Sequence, residues 1–124
     1  MLPYIEINDT NNVNIVKIST VGKKIIYMSR MDIPCPFSQD RKLKKHLSII
    51  AFTVSALRKY SHMKKSELEK IESIELLRAL ESGLEIGTFQ ESKESFSVDV
   101  IEDYHRANRY MRDDKVYKRY RLVQ

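Results

Sequence analysis

The segment from Lys44 to Lys59, KKHLSIIAFTVSALRK, places eleven uncharged residues between two basic clamps and constrains the fold more than any other part of the 124-residue chain. A membrane-spanning helix needs about 20 apolar residues, so this stretch is far too short to cross a bilayer. Leu43, Leu47, Ile50, Val54 and Leu57 recur at steps of four and three, an apolar stripe at helical period. Ile49, Phe52 and Ala56 occupy the opposite side. The pattern predicts a helix capped by Ser38 or Asp40, running to about Tyr60 and buried nearly all round at its centre. The same three residues, Ile49, Phe52 and Ala56, form the candidate contact of a possible homodimer.

Before that segment the sequence favours strands. Tyr4-Ile5-Glu6-Ile7 and Asn14-Ile15-Val16-Lys17-Ile18 are rich in β-branched residues and are separated by turn-forming Asn8-Asp9-Thr10-Asn11-Asn12. A third strand, Lys24 to Met28, follows a hairpin predicted around Gly22. Ile33-Pro34-Cys35-Pro36-Phe37 is expected to be a stiff connector, because each proline restricts itself and the residue before it.

After it, Ser66-Glu67-Leu68-Glu69 fits a capping box that starts a second helix ending at Ser82, with Gly83 as the left-handed terminator. Leu68, Ile71, Ile74, Leu77 and Leu80 recur every three residues, which suits either one wrapping helix or two short ones broken near Ser73. Leu84 to Phe89 and Ser95 to Val98 are expected to pair as a hairpin over Gln90 to Glu94. A helix carrying Val100, Ile101, Tyr104, Ala107 and Met111 stops at Asp113-Asp114, and Val116 to Val123 is β-prone, basic and aromatic. Together these elements predict a single α+β domain over residues 1–124. It comprises an N-terminal antiparallel β-meander, a central helical pair, a C-terminal helix and a basic strand.

The order of a long helix, a short helix from Ser66, Ile74 to Leu80, Gly83 and a β-prone stretch over Leu84 to Val98 resembles a winged helix-turn-helix domain across residues 40–100. That resemblance implies DNA binding, with Ile74 to Leu80 as the groove-entering helix. Arg78 there stands among Glu72, Glu75 and Glu81, charges that suit contact with protein instead.

The formal charge of +5 is strongly segmented. Residues 41–65 carry eight basic and no acidic side chains, residues 66–103 three basic and eleven acidic, and residues 104–124 seven basic and two acidic. Antiparallel packing would set the basic and acidic blocks face to face, leaving the C-terminal excess for a polyanion. The candidate nucleic-acid-binding residues are therefore Arg41, Lys42, Lys44, Lys45, Arg58, Lys59, Lys64 and Lys65 at the first helix ends. In the C-terminal segment they are Lys115, Tyr117, Lys118, Arg119, Tyr120 and Arg121, whose tyrosines can stack on bases.

Catalytic chemistry finds little footing in the sequence. His46, His62 and His105 are isolated, and neither a nucleophile elbow nor a glycine-rich phosphate loop accompanies them. One cysteine, Cys35, offers neither an internal disulfide nor zinc-type spacing. No catalytic residue, cofactor or metal is assigned. MLPYIEIND lacks the make-up of a secretory signal, so the mature chain is expected to begin there and to be cytoplasmic. The chain is thus read as a small non-enzymatic regulator that binds nucleic acid. The second reading is a protein-binding modulator, an inhibitor or adaptor, engaging an acidic protein surface; neither involves a membrane.

Overall fold

The computed structural model describes residues 1–8, 11–35, 37, 42–92, 98 and 100–121, with the side chain of Arg121 excepted. They fall into two compact units, Met1–Lys93 and Glu94–Gln124.

The first unit is a small closed barrel built from β1 (Leu2–Ile7), β2 (Lys17–Val21), β3 (Lys24–Ser29), β4 (Leu43–His46) and β5 (Ile86–Gln90), joined in the order β1-β4-β2-β3-β5. β1 closes the ring by pairing in parallel with β5, while every other pairing is antiparallel. The expected hairpin at Gly22 is present: Val21 faces Lys24, and Gly22 takes a φ of 55°, where a side chain would strain the backbone. The meander is corrected, because β4 lies between β1 and β2. β1 bonds to β4 through Tyr4↔His46 and Ile7↔Leu43, a pairing that sequence proximity cannot reveal.

β4 also replaces the start of the predicted long helix. Leu43 to His46 are strand, residues 47–53 run on without helix, and α1 spans only Val54–Ser61, capped by Thr53 whose Oγ1 accepts from the Ala56 amide at 3.2 Å. Two influences override the four-and-three stripe: β1 offers a ladder, and the β-branched Ile49, Ile50 and Thr53 fit extended backbone as readily as helix. The all-round burial expected at its centre fails too, since Ile49 is 71% and Val54 69% exposed. The proposed caps Ser38 and Asp40 lie outside the described residues.

α2 (Glu67–Glu72) and α3 (Leu77–Glu81) resolve the ambiguity at Ser73 in favour of two helices. Ser73 adopts a φ of 53°, and its left-handed turn swings α3 onto the barrel. Leu76, Leu77 and Ala79 then join Leu2, Ile18, Ile25, Met28, Ile74 and Ile86 in one buried cluster. Ser66 caps α2 as expected, accepting from the Glu69 amide at 3.3 Å, and Gly83 has the expected positive φ of 80°. β5 pairs with β1 and β3 instead of the predicted wing partner; Ser95 to Ser97, most of that partner, lies outside the described residues. A barrel sealed by a helical elbow, with β4 and non-helical chain where the first helix was expected to begin, corrects the winged helix-turn-helix alternative.

The second unit contains α4 (Ile101–Asp113), close to its expected limits, and α5 (Lys115–Arg121). The predicted basic strand is corrected to helix. Asp114 leaves α4 in extended geometry, and its Oδ1 accepts from the Tyr117 amide at 2.7 Å, capping a new helix that local β-propensity did not foretell. Leu122 and Val123 lie outside the described residues. Among the described residues no helix is long and apolar enough to cross a membrane.

Candidate functional site

The elbow between α2 and α3 carries charged residues at every third position, Glu69, Glu72, Glu75 and Arg78, and the left-handed Ser73 sends them in different directions. Glu72 turns to the barrel. Its carboxylate accepts from Ser29 Oγ at 2.7 Å and from the Arg30 amide at 2.9 Å, while Arg30 Nε donates back to the Glu72 carbonyl at 2.9 Å. These bonds fasten the elbow to the end of β3. Burial and the neighbouring Glu72 charge raise the pKa of Tyr27 beside it.

Glu69 and Arg78 turn to each other. Glu69, with its side chain 7% exposed, accepts on Oε1 from an Arg78 guanidinium nitrogen at 2.5 Å instead of closing the expected capping box. Arg78 also lies 5.2 Å from the Tyr60 ring centroid, and the Tyr60 hydroxyl donates to the Glu75 carbonyl at 3.0 Å. Tyr60 has its pKa raised by burial, with Arg78 opposing and Glu75 and Glu69 reinforcing. Contact between the basic and acidic segments thus runs through an aromatic ring and a backbone carbonyl, where facing rows of charge were expected.

This arrangement lines a concave site of about 550 Å³ with Lys65, Glu69, Lys70, Ser73, Glu75 and Arg78. Two polar atoms in its wall, Glu69 Oε2 and Arg78 Nε, are buried with no hydrogen-bond partner. Buried polar atoms of this kind ordinarily find partners; among the described residues these two have none, and both lie beneath the surface of the site. Lys65 and Lys70 add positive charge, and exposed Glu75 adds a further acceptor. Cations beside carboxylates suit a small molecule bearing both an anionic group and hydroxyls.

His46 stands at the end of β4, paired in register with Tyr4. Burial lowers its pKa below 6.5, and the charge of Glu75 only partly opposes this. The unfolded chain therefore takes up a proton first as pH falls, so this contribution to stability is intact above pH 6.5 and is lost below it. Urea midpoints measured from about pH 7.5 down to about pH 5.5 should fall less steeply for His46→Gln than for the parent; equal slopes would exclude His46 as the source.

The residues singled out for nucleic acid divide between the two units, those from Arg41 to Lys65 in Met1–Lys93 and those from Lys115 to Arg121 in Glu94–Gln124. Lys42 pairs with Glu6 at 3.8 Å, and Lys44 donates to Thr20 Oγ1 at 2.5 Å while lying 4.9 Å from the Tyr4 ring centroid. Lys45 faces Ile5 and Lys17 across the sheet, whereas Arg58 and Lys59 lie in the exposed last turn of α1. Lys64 is exposed, Lys65 alone among them reaches the elbow site, and Arg41 is outside the described residues. Lys115, Tyr117, Lys118, Arg119 and Tyr120 are exposed on α5, and Arg121 ends that helix. Tyr117 and Lys118 border a second hollow of about 640 Å³ with His105, Asn108, Arg109, Met111 and Arg112, and Lys118 is paired with Asp113 at 3.3 Å. The elbow constellation of Tyr60, Glu69, Glu75 and Arg78 escaped sequence reasoning. Its signal was the three-residue charge repeat running beside the apolar one.

No family model matches the chain. Individual proteins do. It is 35% identical over 101 residues to a 3-deoxy-manno-octulosonate cytidylyltransferase of Nitratiruptor sp., covering 82% of this chain and 42% of that protein. The proteins of the same name from Leptospira interrogans and Rickettsia prowazekii are 36% and 38% identical, over 86% and 84% of this chain and 45% and 40% of theirs. A solved structure of CMP:2-keto-3-deoxy-manno-octonic acid synthetase complexed with CTP superposes with a TM-score of 0.83 and 26% identity, covering 89% of this chain and 47% of that one. The chain resembles part of an enzyme. It spans less than half the length of the relatives it matches. These similarities overturn the expected non-enzymatic regulator, DNA-binding protein or inhibitor, together with its nucleic-acid or acidic-protein partner. The fold likeness is to a CMP:2-keto-3-deoxy-manno-octonic acid synthetase, not to a winged helix-turn-helix domain.

Proposed function

We propose that this chain forms the part of a cytidylyltransferase that holds an acidic sugar of the 3-deoxy-manno-octulosonate class, in the elbow site between α2 and α3. The observation that carries the proposal is the likeness to enzymes of that name along more than four-fifths of the chain. The site's chemistry agrees with it. A sugar acid brings one carboxylate for Lys65 and Arg78 and several hydroxyls, for which exposed Glu75 is an acceptor. Glycines occur only at 22, 83 and 87, a spacing that makes no phosphate loop, so the reading gives this chain the sugar acid and leaves the triphosphate of CTP to the remainder of such an enzyme.

In that reaction a sugar hydroxyl oxygen bonds to the α-phosphorus of CTP, pyrophosphate departs with the broken P–O bond, and the hydroxyl proton passes to a base. The test is a fused protein in which this chain replaces the matched segment of the Nitratiruptor relative, assayed with CTP and 3-deoxy-manno-octulosonate. Pyrophosphate release that depends on the sugar acid is expected. Lys65→Ala, which removes an exposed cation from the site, should raise the KM for the sugar acid about tenfold with little change in kcat. A folded fusion that releases no pyrophosphate, or releases it irrespective of the sugar, overturns the proposal.

A further inference from the structure

Behind residues 50–53 lies an apolar recess of about 410 Å³ whose walls include Ile50, Phe52, Ala56, Leu76 and Leu84. Phe52, 37% exposed, stacks at a tilt on Tyr60 with ring centroids 5.4 Å apart. Next to its lining residues in the sequence are Ile49, Val54 and Leu57, which are 71%, 69% and 50% exposed. Val54 and Leu57 are three residues apart, hence neighbours on one face of α1. No charged residue interrupts the chain from Leu47 to Leu57. An exposed, uncharged stretch of this kind ordinarily marks a surface that another polypeptide covers.

The backbone points the same way. The chain from 47 to 53 is bonded on one side, where Leu47 donates to the Pro3 carbonyl at 3.1 Å and Ala51 to the Met1 carbonyl at 2.9 Å. Among the described residues the amides of Ile50 and Phe52 donate to nothing. Ile49 donates to the Leu47 carbonyl at 2.8 Å beside a bend at Ser48, so the stretch beyond it, with free amides at Ile50 and Phe52, is an edge to which a further strand can add.

We infer that the edge at residues 47–53, with the recess behind it, is where the rest of the cytidylyltransferase fold docks, by pairing a strand with Ile50 and Phe52 and covering Phe52 and Ile49. The inference rests on the proposed function and identifies the partner of the same site. The occupant follows from the superposition: the solved synthetase matches 89% of this chain, yet more than half of its own fold lies outside the match and must meet this half somewhere. The edge and the recess, whose lining is apolar except for Thr53 and Glu85, offer free donors and apolar surface for that contact, and they adjoin the elbow site through the ring stack of Phe52 on Tyr60.

The test compares the fused protein described above with this chain by itself. Ile49→Glu, at a highly exposed position, should lower the Tm of the fusion by about 5 °C and leave that of the chain alone unchanged. Phe52→Glu should behave likewise but with some loss in the chain alone, because Phe52 packs on Tyr60. Amide hydrogen exchange at Ile50 and Phe52 should slow at least tenfold in the fusion. Equal Tm shifts in both proteins, unaltered exchange, failure of the fusion to fold, or self-association of the chain through this face that persists in the fusion would each overturn the inference. A fusion that shows the differential shift and slowed exchange but transfers no cytidylyl group leaves the docking intact and removes only the catalytic reading.

Discussion

Arg78→Met is expected to destabilise the first unit by about 3 to 5 kcal/mol, because it leaves Glu69, with its side chain 7% exposed, as a buried carboxylate without its cation. Much of that loss is the cost of stranding a charge, and a second change separates it from lost packing. In the double variant Glu69→Leu/Arg78→Met neither partner remains ionised, so stability should return to within about 1 to 2 kcal/mol of the parent. Urea unfolding of the two singles and the double closes the cycle. A double variant no more stable than Arg78→Met would mean that the pair is not the source. The double variant also removes Glu69 and Arg78 from the lining of the elbow site. In the fused enzyme it should therefore fold yet lose affinity for the sugar acid.

Lys17→Met should cost a comparable 3 to 5 kcal/mol but respond differently to rescue. Lys17 is 1% exposed, and its ammonium donates to the carbonyls of Asn12 at 2.7 Å, Ile15 at 3.0 Å and Arg30, with Asp32 at 3.4 Å. One cation thereby gathers the approach to β2, the end of β3 and the connector after it. Removing Asp32's charge as well, in Lys17→Met/Asp32→Asn, should recover only part of the loss, since three carbonyls still lack a donor. Full recovery in that double variant would show that the carbonyl bonds contribute nothing.

The contrast between these clusters bears on what was legible in the sequence. Local signals were read well: Gly22 as a hairpin, Ser66 as a cap, Gly83 as a terminator, and the α4 stripe each depend on neighbours a few residues away. Failures came where partners are distant. Leu43 to His46 became a strand because Tyr4 to Ile7 offers a ladder some forty residues earlier, and no periodicity within the segment can report that. The Lys115–Arg121 segment became a helix because Asp114 caps it, a signal present in the sequence but outweighed by Val116, Tyr117 and Tyr120. At the site, the charges were noticed as blocks and not as individuals. Counting eight basic residues over 41–65 directed attention to exposed side chains, whereas the elbow arrangement depends on Arg78 in the acidic block and on Tyr60, which carries no charge.

The parallel pairing of β1 with β5 sets an order of events at the ribosome. Leu2 lies opposite Thr88, whose hydroxyl donates to the Leu2 carbonyl at 2.8 Å, so after Leu2 is made the ring cannot close until the chain has grown 86 residues further. At about 5 to 20 residues per second, the first strand waits on the order of ten seconds for its neighbour. During that interval Leu2 and Ile18, which end with no exposed surface, have only the β2–β3 hairpin and later β4 for cover. Shortening the chain before Thr88 would thus leave nascent protein with a permanently open seam, a species that chaperones hold and proteases remove.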